Sequence, residues 1–141
     1  MKYLLDTNVI SELRKRRGVA ESAVLDWATQ QPVRDLYISV VTILEIELGI
    51  AKVERRDRRQ GAALRDWMDS GVLAGFKGRI LPVDVDVAIR AARLHVPDPR
   101  PERDAYIAAT AIRSDLTLVT RNIKDFSIPL LRTLNPWPPN V

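Results

Sequence analysis

Carboxylates stand at three places in this sequence where strand-like or helical patterns would position them. Asp6 follows a short apolar run, Glu45 lies within a long helical pattern, and Asp104 opens another helical pattern. A fourth group, Asn122 and Asp125, follows a later apolar run. Carboxylate and amide oxygens are ligands that Mg²⁺ or Mn²⁺ prefers and zinc does not. Together these residues predict a site for Mg²⁺, with Mn²⁺ as a substitute.

Each of these residues also has a structural interpretation. Asp6 or Thr7 could cap the helix that follows. Asp104 would lie favourably at a helix amino terminus. Asn122 and Asp125 are also ordinary turn residues.

Spacing alone does not decide which of two glutamates turns inward. Glu45 and Glu47 both have mostly apolar neighbours three and four residues away on a helix. A carboxylate buried on such a face needs a partner. The alternative is a single exposed glutamate at the edge of the helix.

An alternation of β-rich runs and helical patterns must position these residues. The strand-like runs are residues 2–5, 36–40, 79–83, 117–120 and 130–134. The first helix begins in the segment DTNVISEL, and later helical patterns cover residues 20–31, 41–53, 55–70, 84–96 and 103–114. Three glycines, Gly71, Gly75 and Gly78, predict a loosened segment after the fourth helical pattern. Strands alternating with helices predict an α/β domain with a mainly parallel sheet of four to five strands, flanked by helices on both faces. In such sheets, functional side chains gather at the carboxyl ends of the strands.

Composition excludes several other chemistries. The 141 residues, 46% hydrophobic and 28% charged, fit one domain at 1–135 and a Pro-rich tail at 136–141 without regular structure. Cysteine is absent and His95 is the single histidine, which excludes disulfides, Cys-rich or three-histidine metal sites and a Cys–His nucleophile.

No apolar run approaches the roughly 18 residues of a membrane span. The first residues do not resemble a signal peptide, so we expect a cytoplasmic protein with no membrane contact.

The positive charge permits an anionic partner. The formal net charge is +4 and the sequence pI is about 9.8. A run of four basic residues could contact RNA phosphates and consists of Arg14, Lys15, Arg16 and Arg17. A second run, residues 52–59, has five basic and two acidic residues. A solvated helix face with pairs such as Glu54 and Arg58 competes there with RNA contact.

Four motifs stand in a specific order along the chain. They are D-T-N at 6–8, S-x-x-T-x-x-E at 39–45, D-A-x-I-A-A-T-A at 104–111, and L-V-T-R-N-x-x-D-F at 118–126. In order and spacing they resemble the PIN-domain endoribonuclease toxins of bacterial type II toxin–antitoxin systems, the VapC and FitB-like group. The resemblance covers nearly the whole chain, and four motifs in one order are more specific than any single one.

The resemblance implies a PIN fold, Mg²⁺-dependent endoribonuclease activity, an antitoxin that blocks the site, and a homodimer. Asp6 and Asp104 match the metal ligands of the family, and Glu45 matches its third acid. Asn122 stands where many relatives carry an acid, so either Asn122 or Asp125 could complete the site. The polar positions around the site are matched by Thr7, Asn8 and Thr120.

Two other functions are compatible with the same residues. One is a PIN-like RNA-binding or scaffold protein without catalysis, which Asn122 in place of an acid would favour. The other is a PIN nuclease of RNA maturation that has no antitoxin. The presence of Asp6, Glu45 and Asp104 argues against the first alternative.

Overall fold

Five short strands form one parallel sheet in the computed structural model, which describes residues 1–139. The strands are β1 (Tyr3–Leu5), β2 (Leu36–Ser39), β3 (Ile80–Leu81), β4 (Thr117–Val119) and β5 (Thr133–Leu134). Their order across the sheet is β3-β2-β1-β4-β5, and each neighbouring pair is parallel. All five predicted strand regions are therefore present, although each strand is shorter than the run that predicted it.

Helices connect the strands on both sides of the sheet. They are α1 (Thr7–Arg14), α2 (Ser22–Thr29), α3 (Val40–Arg56), α4 (Arg58–Asp66), α5 (Val85–Leu94) and α6 (Glu102–Arg113). A π-helical segment, Trp67–Leu73, continues α4, and short 3₁₀ turns cover Val33–Asp35 and Ile123–Phe126. In the described part of the chain, no helix combines the length and the apolar character needed to cross a membrane.

Both faces of the sheet are covered, as the alternation of strands and helices predicted. In β1, Leu5 belongs to one hydrophobic cluster and Leu4 to another. In β4, Val119 joins the cluster of Leu5, and Leu118 joins that of Leu4. This division arises because successive side chains of a strand point to opposite faces. A parallel sheet buried on both faces accounts for the apolar character of these runs.

The segment after α4 corrects one prediction. Gly71 lies inside the π-helical segment and does not interrupt it, because Met68 and Val72 are buried and hold this turn against the core. Trp67 packs on Gly71, where a Cβ atom would be 3.2 Å from Trp67 Cδ1. Only at Gly78, with φ of +81°, does the chain turn away towards β3.

The strand order creates a crevice between β1 and β4. From β1 the chain continues to β2 on one side, whereas β4 pairs with β1 on the other side. Ligand sites in open α/β sheets lie outside the carboxyl ends of the strands at such a switch point. The backbone N–H of Asp6 donates to the carbonyl of Val119 at 2.9 Å. Asp6 and Thr120, the residues that directly follow β1 and β4, therefore lie side by side.

Candidate active site

Asp6 both caps α1 and presents a carboxylate in the crevice, so the structural and the functional interpretation hold together. Its Oδ1 accepts a hydrogen bond from Thr7 N at 2.8 Å, and its Oδ2 accepts one from Thr120 Oγ1 at 2.8 Å. Only 7% of the residue is exposed. Burial raises the pKa of Asp6 and Glu45 adds to the rise, while the hydrogen bonds from Thr120 and Thr7 oppose it.

Glu45 is the glutamate of α3 that turns towards the crevice. Thr7 Oγ1 donates to Glu45 Oε1 at 2.7 Å, and Thr42 Oγ1 lies 3.0 Å from the same hydroxyl. Glu47 instead accepts hydrogen bonds from Arg65 Nη1 at 2.7 and 2.8 Å. Helical spacing did not distinguish Glu45 from Glu47. The structure does, because Arg65 of α4 binds Glu47 outside the crevice.

Asp104 reaches the same crevice from the first turn of α6. The helix begins after Pro101, and the structure shows no side-chain cap there. Burial raises the pKa of Asp104, and the charges of Asp6, Glu45 and Asp125 raise it further, in that order. The acids are therefore close enough to repel one another, as carboxylates that share a site do.

The fourth group of candidate residues consists of an amide, Asn122, and a carboxylate, Asp125, and the structure places the two differently. Asn122 lines the cavity of the crevice, and its backbone N–H donates to Thr120 Oγ1 at 3.1 Å. Asp125 lies in the 3₁₀ turn and is exposed, yet its charge acts on Asp104.

The remaining polar residues that the sequence singled out hold these groups in place. Asn8 Nδ2 donates to Thr120 Oγ1 at 3.3 Å and lies 3.5 Å from Asp6 Oδ2. Its Oδ1 accepts from the backbone of Arg121 at 3.4 Å. Asn8 therefore ties the start of α1 to the chain after β4.

The crevice opens into a cavity of about 460 Å³. It is lined by acids and polar residues from the motifs together with Ser11, Glu12, Lys15, Arg121 and Trp137. Sequence reasoning did not assign Ser11, Glu12 or Trp137 to the acidic site. Ser11 and Glu12 lie one helical turn after Thr7 and Asn8, a spacing that could have identified them.

Glu12 is the buried carboxylate at the side of this cavity. It accepts hydrogen bonds from Lys15 Nζ at 3.1 Å and from the backbone N–H of Glu21 at 3.2 Å. Burial alone would raise its pKa, but these hydrogen bonds and the charges of Lys15 and Arg121 lower it overall. Glu12 is therefore held ionised and fixes Lys15 at the rim of the cavity.

The four basic residues of the run that begins at Arg14 lie in different surroundings. Lys15 lines the cavity, and Arg17 lines an adjoining groove of about 800 Å³. The guanidinium of Arg14 lies 5.7 Å from the centre of the Trp67 ring and Arg16 is exposed, so neither belongs to the lining of the cavity. Of the four residues predicted to contact RNA, Lys15 is the one beside the acids.

The donor set suits a divalent metal of the magnesium type. Asp6, Glu45 and Asp104 offer oxygen atoms only. Burial, and to a lesser degree the neighbouring carboxylates, raises the pKa of Asp6 and Asp104, and a bound cation would offset that repulsion. Among residues 1–139, however, no group of three Asp, Glu or His side chains is arranged so that it could hold a metal ion. Mg²⁺ usually binds one or two carboxylates and keeps several water ligands. The open arrangement of these acids fits that mode of binding.

A family model for the PIN domain matches residues 3–127. The match covers most of the chain and includes all four sequence motifs. This chain therefore belongs to the PIN-domain family.

Similar proteins place the chain within that family. It is 35% identical over 141 residues to VapC ribonuclease Y4jK of Sinorhizobium fredii, covering 96% of this chain and 98% of that protein. It is 36% identical over 140 residues to toxin FitB of Neisseria gonorrhoeae, covering 95% and 97%. The structure of FitAB bound to an IR36 DNA fragment matches with a TM-score of 0.85 and 32% identity, covering 99% of this chain and 98% of that one. The resemblance to the VapC and FitB group is confirmed.

Proposed function

We propose that this chain is the toxin of a type II toxin–antitoxin system and hydrolyses RNA phosphodiester bonds with Mg²⁺. The observation that carries the proposal is the meeting of Asp6, Glu45 and Asp104 in the lining of one cavity, where burial and neighbouring carboxylates raise the pKa of Asp6 and of Asp104. The similarity to a VapC ribonuclease and to toxin FitB supports it.

Asp6 and Asp104 would hold the metal, with Glu45 close to them and Mn²⁺ as a substitute. When bound, the ion would polarise a phosphate oxygen and lower the pKa of water. The hydroxyl of Thr7 holds Glu45 Oε1, and Arg103 Nη1 lies 3.8 Å from Glu45 Oε2. Glu45 is thereby oriented to accept a proton from the water that attacks the phosphorus atom. In the family pattern the bond from phosphorus to the 3′-oxygen breaks, so the products carry a 5′-phosphate and a 3′-hydroxyl end.

Lys15 and Arg121 are the basic residues of the cavity lining. The acids repel a phosphodiester, so positive groups at the rim are needed to bring the RNA backbone near them. Lys15 is fixed by Glu12, and the guanidinium of Arg121 lies 5.4 Å from the centre of the Trp137 ring. Both cations therefore have a defined position at the edge of the acidic cavity.

The proposed partners are a cognate antitoxin and a second copy of the chain. Similar solved structures include a toxin–antitoxin complex from Klebsiella pneumoniae with 29% identity and a TM-score of 0.67. An antitoxin would keep the exposed acidic cavity from RNA. The second candidate, an RNA-binding protein without catalysis, rests on Asn122, an amide in the cavity lining.

Expression without an antitoxin tests the proposal. Wild type, Asp104→Asn and the control Asp98→Asn, an exposed aspartate outside the cavity, would be induced separately in a bacterial host while new RNA 5′ ends are mapped. We expect growth arrest and new 5′-phosphate ends with wild type and Asp98→Asn, and neither with Asp104→Asn.

Arrest by all three proteins without new RNA ends would favour the RNA-binding protein. Purified wild type would then be incubated with the host RNA in Mg²⁺ and in excess chelator. Cleavage in Mg²⁺ alone would support the nuclease, and no cleavage in either buffer would refute it.

A further inference from the structure

The end of α3 and the start of α4 carry a dense group of positive charges. Residues 52–59, named here the basic tip, have five basic and two acidic residues, so they contribute +3 to a net charge of +4. The basic residues are Lys52, Arg55, Arg56, Arg58 and Arg59, all exposed. The proposed active site uses none of them.

Both acids of the basic tip are engaged in holding the two helices. Asp57 caps α4, because its Oδ1 accepts a hydrogen bond from Gln60 N at 3.0 Å. Glu54 lies 3.5 Å from Arg65 Nη2 and does not pair with Arg58, the partner that helical spacing suggested. Within residues 1–139, the five basic residues of the tip form no ion pair with a carboxylate.

The basic tip is also held rigidly. Gly61 is buried against α3, where a Cβ atom would be 2.8 Å from Glu54 Cα. Arg65 joins α4 to α3 through Glu47 and Glu54. The two helices thus approach each other closely, and the arginines project from a fixed turn.

We propose that the basic tip is a second RNA-binding surface. It binds the backbone of the substrate RNA at a distance from the bond that is cleaved. The proposal rests on the proposed ribonuclease function. Arg56 lies eleven residues after Glu45 on the same helix, a separation of about 16 Å at 1.5 Å per residue. RNA bound at the acids must therefore extend beyond the cavity to reach the tip.

The composition of the tip favours a nucleic acid over a protein partner. Its one large apolar residue, Val53, is partly buried, and the other residues are charged. Protein interfaces centre on apolar and aromatic residues and are depleted of charge there. Cations without carboxylate partners bind a polyanion by displacing its counterions, which makes the binding depend on salt.

Two triple variants with equal loss of charge test this surface. The tip variant is Arg55→Gln, Arg56→Gln and Arg59→Gln. The control variant is Arg34→Gln, Lys77→Gln and Arg93→Gln, which changes exposed residues without ion pairs elsewhere in residues 1–139. Thermal melting of both variants would confirm that they fold.

Binding would be measured by fluorescence anisotropy with a labelled oligouridylate of 30 nucleotides in excess chelator, so that cleavage does not contribute. We expect the tip variant to bind roughly tenfold more weakly than wild type at 0.15 M salt, and its salt slope to fall by about 2, at about 0.7 per cation. The control variant should stay within about twofold of wild type.

Equal weakening by the two triple variants, or none by the tip variant, would overturn the proposal. Loss of antitoxin binding by the tip variant with unchanged RNA binding would also overturn it and assign the tip to a protein partner. Because this assay measures binding without cleavage, its failure is distinct from failure of the ribonuclease function, which wild-type cleavage of RNA in Mg²⁺ tests.

Discussion

Asp104 carries a charge that the metal-free fold does not favour. Its pKa is raised by burial and by Asp6, Glu45 and Asp125, so the folded state binds the proton more tightly than the unfolded chain. The stability that this proton adds is present at low pH and is lost as pH rises through the raised pKa. At pH 7, Asp104→Asn should therefore melt no lower than wild type in excess chelator. The difference in melting temperature between the two proteins should shrink as the pH falls towards 3.8, the ordinary pKa of an aspartate.

Thermal melts at pH 7.5 and pH 5 would check this expectation. Addition of Mg²⁺ should raise the melting temperature of wild type and of the control Asp98→Asn more than that of Asp104→Asn, because a ligand stabilises the folded state that binds it. A clearly lower melting temperature of Asp104→Asn in chelator would show that Asp104 stabilises α6.

The hydrogen bond from Thr120 stabilises the buried negative charge of Asp6. Its side chain is 0% exposed and donates to Asp6 Oδ2 at 2.8 Å. Thr120→Val keeps the shape but removes the donor, so we expect a loss of about 1–3 kcal/mol in the free energy of unfolding at pH 7. The loss should be smaller at pH 4, where Asp6, with its raised pKa, binds a proton more readily.

Chemical denaturation at the two pH values would measure this loss. Thr110→Val is the matched control, because Thr110 is also buried but donates to the backbone carbonyl of Tyr106 and not to a charged group. If both variants lose the same stability at both pH values, the bond from Thr120 has no special role.

Asp6 and Asp104 could be predicted as candidates because Asp6 directly follows β1 and Asp104 lies in the first turn of α6. The choice between Glu45 and Glu47 was not predictable, since it depends on Arg65, eighteen residues further along the chain. The position of Trp137 in the lining of the acidic cavity was not predictable for a similar reason. Its place beside the acids depends on how the chain returns after β5, which local patterns do not contain.

Among the elements, strand positions were predicted better than their lengths. Apolar side chains extend beyond the hydrogen-bonded residues, so the run 79–83 contains only two residues of β3. The predicted loosening of the segment that begins at Gly71 was wrong there, because the burial of Met68 and Val72 outweighs the low helix propensity of glycine. Tertiary packing decided the structure at both places.

Gly61 is required where α4 crosses α3. A Cβ atom there would be 2.6 Å from Glu54 Cγ and 2.8 Å from Glu54 Cα, and the backbone atom cannot move aside alone. Overpacking costs about 1–3 kcal/mol, whereas alanine gains at most about 1 kcal/mol of helix propensity. We therefore expect Gly61→Ala to lose about 1 kcal/mol in the free energy of unfolding.

Gly49 provides the control for this substitution. It lies in the exposed part of α3, and a Cβ atom would meet nothing within 4 Å. Gly49→Ala should gain about 0.5–1 kcal/mol by helix propensity. Chemical denaturation of both variants would check the pair, and a stabilising Gly61→Ala would contradict the close approach of the two helices.

For the whole molecule, the alternation of strands and helices was sufficient to predict a parallel α/β sheet with both faces covered. The position of the site at the carboxyl edge followed from that architecture. Trp137, two residues beyond the predicted domain end at residue 135, packs against the cluster that contains Leu5 and Val9. Residues 136–139 have no regular structure, and the tail prediction for residues 140 and 141 lies outside the described residues.

Trp137 joins the tail to both the core and the active site. It lines the cavity of the acids, and the guanidinium of Arg121 lies 5.4 Å from its ring centre. Trp137→Ala removes a partly buried aromatic ring, so we expect a loss of about 1–3 kcal/mol in the free energy of unfolding. Because Arg121 then loses the aromatic ring that holds its guanidinium, the KM for RNA should rise more than kcat falls. Trp137→Phe keeps a ring in place and should retain most of both properties. Denaturation and cleavage kinetics of the two variants distinguish this role from that of a loose tail, for which neither substitution would change stability or KM.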